Sequence, residues 1–320
     1  MIFLDIAYLG EISRDRLDLG GGKGASLSEM VRAGLPVPPG FVVCAGAFTR
    51  AMSATGISDQ IAVVLDKVDY ENNDSLNKVS GEIKELIRSK PLPPSLVQEI
   101  ESAYEKISGE NPVPVAVRSS ATCEDLSEAS FAGQQETFLY VLGKEDVHKY
   151  IRECWASLYN ARAIFYRKQK GFDEAQISIA VVIQKMVNSE RAGVLFTVNP
   201  VTKDTESMVI EGTWGLGEAV VSGFITPDFY LIDKTSGDTQ YVQVSKKDMM
   251  IVPNAAQKGT VKKEVPVEKR EKQVLADSEI LQLVGLGKKL EEYMGCPQDI
   301  EWAIEAGKVY LLQSRAITTL

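Results

Sequence analysis

The densest chemistry in this sequence lies near its end, in QDIEWAIEAGKVYLLQSR (298–315). Along the first half, Asp299, Glu301 and Ala303 share one face of a strand and Ile300, Trp302 and Ile304 the other, because successive side chains alternate. On the return run Leu311, Gln313 and Arg315 are expected on one face, opposite Tyr310, Leu312 and Ser314. A loop of odd length centred on Gly307 would set Glu301 across from Gln313 and Asp299 across from Arg315 in a single register. A two-residue Ala306-Gly307 turn would slip the pairing by one residue and separate them. A carboxylate beside an amide oxygen suits Mg²⁺, which takes one or two carboxylates and completes its shell with phosphate oxygens. Arg315 could orient Asp299 or hold a phosphoryl group in transfer. The competing account is the ordinary polar face of a hairpin.

Two more stretches suit an anionic ligand. LGGGKGASLSEM (19–30) places glycines, including Gly22, and Lys23 at the start of a helix, where backbone amides and the helix N-terminus favour negative charge. A Walker A loop is excluded, because Leu17 stands at its first glycine and Gly24 follows the lysine. A tight turn with a surface lysine is the alternative. VAVRSSATCEDLSEASFAGQQET (115–137) delivers Arg118 from an apolar strand into a loop of small hydroxyl residues, Ser119, Ser120 and Thr122, closed by Gly133. Guanidinium and hydroxyls recognise phosphate, and so long a loop in a compact domain is usually a lid or binding loop.

Weaker signals lie between. In VVIQKMVNS (181–189) the main chain around Lys185 to Val187 could pair with an adenine edge, or could simply connect two lobes. EGTWGLGEAVVSG (211–223) fits GxGxxG loosely, with Val220 at the final position and no βαβ series around it, which argues against a dinucleotide fold. Its other readings are Glu211 and a helix N-terminus set against ribose or phosphate, or core packing by Trp214 and Leu216.

These groups need elements to carry them. The chain opens as a short strand, the Gly-rich loop and a helix ended by Gly34 and Pro36, then a Pro-pinned turn into a strand (37–43) and a helix from about Ala45 to Ala54. Residues 56–110 are polar and helical, punctuated by PLPP (91–94). Strands follow at 113–120 and 136–141, then one long helix at 144–169, where Val147, Ile151, Trp155, Leu158 and Phe165 recur at helical spacing. From 178 the texture is β-rich: ISIAVVIQKMV, AGVLFTVN, SMVIEG, a short helix at GLGEAVVSG, strands near 228–233, 240–244 and 259–265, a helix at 277–294, and the closing hairpin. The pattern predicts an α+β chain of two lobes with a cleft between them. The first (1–184) carries the Gly-rich loop, a helical insertion and the phosphate lid loop; the second (185–320) is β-rich and carries the metal-binding hairpin.

Composition narrows the classes. At roughly 150 residues per domain, 320 residues suggest about two. With 44% hydrophobic and 25% charged residues the chain is neither disordered nor fibrous. Cys44, Cys123, Cys154 and Cys296 form no CxxC pair, against a disulfide framework or zinc site and in keeping with a reducing cytosol. MIFLDIAYLG is a poor signal peptide, no apolar run nears the ~18 residues of a membrane span, and a net charge of −9 without a basic stripe disfavours nucleic acid. A cytoplasmic protein is expected. The single histidine, His148, falls roughly 100° from the helix's apolar stripe, a boundary position. That removes Ser-His-Asp catalysis, histidine metal sites and histidine phosphorylation within this chain.

In order along nearly the whole chain, GGKGASLSEM, GLPVPPGFVV, RSSATCEDLSEASFAGQQET, QKMV, FTVNPVT, WGLGEAVVSG, QDIEW and LLQSR resemble the N-terminal nucleotide-binding domain of the phosphoenolpyruvate synthase and pyruvate phosphate dikinase family. The resemblance implies an ATP-grasp fold with ATP and Mg²⁺ between two lobes. It implies that Lys23 and Arg118 hold phosphates beside Gly22, with the Ser119–Gln134 loop, including Ser120, Thr122 and Gly133, closing over them and Thr137 following. Gln184, Met186 and Val187 would contact adenine, with Glu211 near the ribose. Glu301 and Gln313 would bind Mg²⁺, Asp299 and Arg315 completing the polar face. Lys23, Arg118 and Arg315 would act on the phosphoryl group.

One departure from the family pattern is Ala316, where the family often has proline. Family members also add a swivelling domain with a phosphorylatable histidine and a barrel for pyruvate or another acceptor, and neither motif appears before Leu320. We therefore expect a phosphohistidine domain or subunit in cis or trans, as an N-terminal domain requires or as in phenylphosphate synthase, and a small-molecule acceptor bound elsewhere. Rifampin phosphotransferase shares the ATP domain with a different acceptor. The expected reaction is Mg-ATP cleavage with phosphoryl transfer to that histidine, then to an acceptor such as pyruvate or phenol. A self-sufficient ATP-grasp ligase, or a nucleotide-binding module without chemistry, would compete with this reading.

Overall fold

The apolar runs pair into antiparallel sheets, the two larger of which pack against helices. A computed structural model describes residues 4–122, 136–171, 177–254 and 258–318. The chain divides into a first unit, up to Ser28 and Pro39–Met186, and a second, Glu29–Pro38 and Val187 onward.

In the first unit, β1 (Ile6–Tyr8), β2 (Gly40–Val43), β3 (Val115–Ala121), β4 (Thr137–Val141) and β5 (Ile179–Lys185) form one sheet in the order β1-β2-β5-β3-β4. Alternation sends Phe41, Val43, Val115, Val117, Val181 and Ile183 to one face, where they join the core of the helical insertion with Ile83 and Trp155. That insertion comprises α2 (Ala45–Ala54), α3 (Ile57–Leu65), α4 (Asn73–Ser89), α5 (Pro94–Ser108), α6 (Lys144–Ser157) and α7 (Ala161–Lys170). The other face takes α1 (Leu17–Arg32) as far as Ser28, with Gly24 close enough that an added Cβ would lie 3.3 Å from Val42 and 3.8 Å from Val182.

The single helix expected over 144–169 is two. The chain breaks at 158–160, and the carbonyls released there are recovered inside the core: Arg167 Nη1 donates to Leu158 O at 2.6 Å and Ser80 Oγ to Tyr159 O at 2.7 Å. The break lets Leu158 and Tyr159 both bury beside Trp155. His148 lies at the expected boundary, half-buried, 3.8 Å from Glu101. Burial pushes its pKa down.

The second unit holds a six-stranded sheet, β13-β12-β6-β7-β8-β9, of β6 (Arg191–Phe196), β7 (Ser207–Trp214), β8 (Asp228–Asp233), β9 (Thr239–Gln243), β12 (Gln298–Glu305) and β13 (Lys308–Ala316). A separate hairpin pairs β10 (Met249–Pro253), a strand the sequence reading missed, with β11 (Thr260–Glu264). α8 (Glu218–Val221) is a single turn, and α9 (Asp277–Met294) ends at Gly295. Leu195, Ile210, Tyr230, Ile300, Trp302 and Ile304 are buried on one side of the large sheet, where α9 crosses with Gly287 against Met208 and Leu195. Gly193 has no room for a side chain: a Cβ there would fall 1.8 Å from Glu211 O and 2.8 Å from the Trp302 ring. The opposite side carries the residues of interest.

Among the described residues, no helix is long and apolar enough to cross a membrane. Cys44, Cys154 and Cys296 are free thiols; Cys123 lies outside the described residues.

Candidate functional site

The β12–β13 hairpin reaches the expected pairing by a different route. Its loop is the two-residue one, with Glu305 opposite Lys308 and positive φ at Ala306 (49°) and Gly307 (75°). That is the type I′ geometry favoured between twisted strands. By itself this turn would put Gln313 opposite Ile300. The register instead shifts between Glu301 and Trp302: Trp302 pairs with Leu311 but Glu301 with Gln313, and Asp299 with Arg315. Leu312 is the extra residue of a β-bulge. Leu311 therefore joins the core face beside Trp302 rather than the Gln313 face, and Leu312 packs against Val187, Ala192 and Ala303.

The register carries this face across the sheet. Asp299 pairs with Phe196 and Glu301 with Val194; Val194 in turn pairs with Glu211. Together with Val220 and Val221 from α8 and with Gln313 and Arg315, these residues line a pocket of about 280 Å³. The sequence reading missed Val194, Phe196, Val220 and Val221, although alternation in AGVLFTV already set the first two on one face. Glu211, expected near a ribose, lines this pocket as well. The structure groups Glu211 with the other two carboxylates, and α8 offers apolar side chains to the pocket from a helix too short for a useful N-terminal field.

The electrostatics of this pocket are unbalanced. Burial, then the charge of Glu301, push the Asp299 carboxyl up to about 6; Arg315 pulls the other way and Glu211 adds to the rise. Burial also raises Glu211. The Gln313 amide oxygen accepts from Arg315 Nε and Nη2 at 3.0 and 3.1 Å, and with the Asp299 and Glu301 carboxylates beside it the donor set is the hard oxygen kind that suits a divalent ion. Among the described residues no three or more His, Cys, Asp or Glu side chains are grouped to hold a metal, so phosphate oxygens or water would have to complete its shell.

A second cluster lies on the first unit's sheet, on the α1 side. Arg118 pairs laterally with Thr137 and Val182, Ala116 with Gln184, and Ser120 with Ala180. Arg118, Ser120, Gln184 and Thr137 consequently share the face on which α1 carries Lys23. Lys23 and Arg118 are both buried, at 7% and 8% exposure, and Gln184 at 2%. Gln184 Nε2 has no hydrogen-bond partner among the described residues, leaving a buried donor for a ligand acceptor.

Ser119 and Ser120, expected in a loop, lie in β3, and their hydroxyls and that of Thr122 each hydrogen-bond to the chain. Ser119 Oγ accepts from Glu136 N at 3.0 Å, Ser120 Oγ donates to Gly20 O at 2.8 Å, and Thr122 Oγ1 donates to Ser178 O at 3.0 Å. The main chain after Gln184 is also partly spent, since Lys185 N donates to Pro39 O and Met186 N to Pro114 O, both at 2.9 Å. Val187 belongs to the second unit's small apolar cluster. Gly22 is half-buried in α1, beside Lys23. Gly133 and Gln134 lie outside the described residues.

Comparison with known proteins supplies the frame for these clusters. Residues 17–320 match the family model "Pyruvate phosphate dikinase, AMP/ATP-binding domain". A probable phosphoenolpyruvate synthase of Methanothermobacter thermautotrophicus is 49% identical over 98% of this chain and 46% of its own length. The phosphoenolpyruvate synthase of Pyrococcus furiosus is 42% identical over 100% of this chain and 44% of its own. Rifampicin phosphotransferase of Bacillus cereus is 40% identical over 97% and 35% respectively. The chain thus spans less than half the length of these curated relatives. It belongs to the pyruvate phosphate dikinase AMP/ATP-binding domain family.

Proposed function

We propose that this chain is an ATP-grasp domain that binds Mg-ATP and performs the first phosphoryl transfer of a dikinase: a histidine nitrogen on another domain or subunit bonds to the β-phosphorus, the bond to AMP breaks, and the γ-phosphoryl is removed to water or phosphate. The observation that carries the reading is the Glu301–Gln313 and Asp299–Arg315 pairing, with Glu211 lining the same pocket on that sheet face. Glu301 and Gln313 would hold the metal, which when bound draws charge from the phosphate oxygens. Lys23, Arg118 and Arg315 stabilise the phosphoryl group in transfer, since this chemistry rests on positioning and charge more than on covalent participation. The Gln184 amide donates to the base, with Met186 and Val187 beside it, and Thr137 adjoins Arg118 at the phosphates. Asp299 orients Arg315, and Glu211 adds to the negative field that draws the cation in. The only histidine, His148, sits in the helical insertion beside Glu101, so the acceptor is supplied from elsewhere, for onward transfer to a small molecule such as pyruvate or phenol.

Product analysis tests this. Incubated with Mg-ATP and a phosphohistidine-domain protein of the family, the chain should form AMP, and none when that protein is omitted. ADP formed without the partner would indicate a ligase instead. Saturable ATP affinity with no product in either condition would leave only a binding module.

A further inference from the structure

Ser120 belongs to the loop expected to embrace phosphate, yet its hydroxyl faces the helix that carries Lys23. It donates to Gly20 O at 2.8 Å, accepts from Lys23 N at 3.1 Å, and has Gly24 N at 3.4 Å. The residue is fully buried. The first amides of a helix have no partner within it, and a Ser, Thr, Asp or Asn just before the helix normally supplies one. Here that position is filled by glycine. Gly21 has φ 63° and ψ 179°, breaking α1 before Gly22; this region of backbone space is essentially closed to other residues. A Cβ on Gly21 would also lie 2.4 Å from Ser120 Oγ and 2.5 Å from Ser120 O. The glycine run brings the helix start against the strand, and the capping hydroxyl comes from 97 residues further along the chain.

We propose that Ser120 is a positioning residue, an N-cap supplied across the sheet that fixes the Lys23 helix to the strand bearing Arg118. The inference rests on the proposed nucleotide function in one respect, that Lys23 serves the phosphates. Its consequence is that the amides of Lys23 and Gly24 are not the groups that take phosphate. The amides of Lys23 and Gly24 are already spent on Ser120, so the positive charge offered here is that of the Lys23 and Arg118 side chains. Ser119 works on the opposite face of the same strand: it accepts from Glu136 N at 3.0 Å, holding the far end of the loop. Neighbouring serines thus fasten two separate segments to one strand.

Amide hydrogen exchange on the full chain, with and without an ATP analogue, decides the cap. The amides of Lys23 and Gly24 should be protected before any nucleotide is added and gain little from it. Protection that appears only with nucleotide would overturn the proposal. Ser120→Ala should speed exchange at both amides by about fivefold or more, the usual scale of a lost cap. A double-mutant cycle then separates positioning from direct contact. Ser120→Ala should weaken ATP binding by about fivefold when Lys23 is present and by less than about twofold in a Lys23→Ala background. Equal losses in both backgrounds would mean that Ser120 touches the nucleotide itself. Wild-type chain that binds no ATP would sink the functional reading, while amide protection in that same sample would still show the cap.

Discussion

Two carboxylate neighbourhoods lie on opposite faces of the second unit's large sheet, and their treatment differs. Asp228, on the α9 side, is fully buried and fully engaged. One oxygen accepts from Lys247 Nζ and from Ser245 N at 2.9 Å; the other accepts from Val274 N at 2.8 Å and Tyr230 OH at 3.3 Å. Lys247 is equally buried, and its remaining reach goes to Ser245 O at 2.6 Å. On the other face, Asp299, Glu301 and Glu211 share a pocket in which burial first, then Glu301 and Glu211, raise Asp299, and Arg315 opposes them. The first acid has its hydrogen-bonding capacity met by the chain, as a buried charge must if the fold is to keep it. In the second group Asp299 is raised by burial and by its carboxylate neighbours, a penalty that a cation would relieve, the arrangement expected where charge serves a ligand.

The largest expected effect breaks the satisfied side. Lys247→Ala leaves Asp228 buried without its counter-charge, a loss of about 3–5 kcal/mol to be read from urea unfolding. Replacing both partners, Asp228→Asn with Lys247→Met, should cost less than the sum of the single changes, because neither charge is then stranded. On the crowded side the sign on stability reverses. Glu301→Gln removes one repelling charge and should leave the unfolding midpoint unchanged or higher, while metal-dependent turnover with the histidine partner falls by roughly 10²–10³-fold. Equal destabilisation by Lys247→Ala and Glu301→Gln would mean that both neighbourhoods are structural.

A third prediction turns the crowding into a pH dependence. Asp299 in the folded chain holds its proton up to about pH 6, against an ordinary value of 3.8. Between those values the folded state binds more protons than the unfolded, so stability falls as pH rises through the window. The slope is at most on the order of 1.4 kcal/mol per pH unit, and the loss is complete above the folded value. Asp299→Asn should flatten thermal melts recorded between about pH 4 and 6, and saturating Mg²⁺ with nucleotide should recover stability above pH 6 in the wild type. Identical slopes for wild type and Asp299→Asn would remove Asp299 from this account.

How much of this was legible in the sequence depends on how far each determinant reaches. Alternation in QDIEWAIE and QSR was enough to set Glu301 and Gln313 on polar faces, but the odd-length loop expected to pair them is a two-residue turn, and the bulge at Leu312 that restores the pairing has no local period to announce it. The helical insertion was legible as helices, but its break at 158–160 was not. The apolar positions stay in phase across it, and the groups that accept the break, Ser80 and Arg167, act through tertiary contacts. β10 was lost because MMIVP shows no alternation and is held by the charged partner strand TVKKE. The hydroxyls of the RSSAT segment were legible as polar and small, yet their partners lie 17 to 100 residues away. A residue type announces a hydrogen bond without naming the recipient.

The hairpin gives the smallest predicted effect and the closest test of where the crowded face comes from. Leu312 is the one residue of β13 between Gln313 and Leu311 that has no place in the ladder. Deleting it should let Gln313 follow Leu311 directly, with Trp302 still opposite Leu311 and Glu301 still opposite Gln313. The loss is then the packing of a partly buried leucine against Ala192 and Ala303, about 1–2 kcal/mol, with ATP affinity largely kept. Deleting Ser314 instead should move Arg315 to the face of Ile300 and Trp302, where a guanidinium among apolar groups is far more costly. Melting curves and nucleotide titrations of the two deletions distinguish register from local geometry. If the Leu312 deletion folds but no longer binds nucleotide, the bulge itself aims Gln313, and crowding of the carboxylates is not by itself enough to make the site.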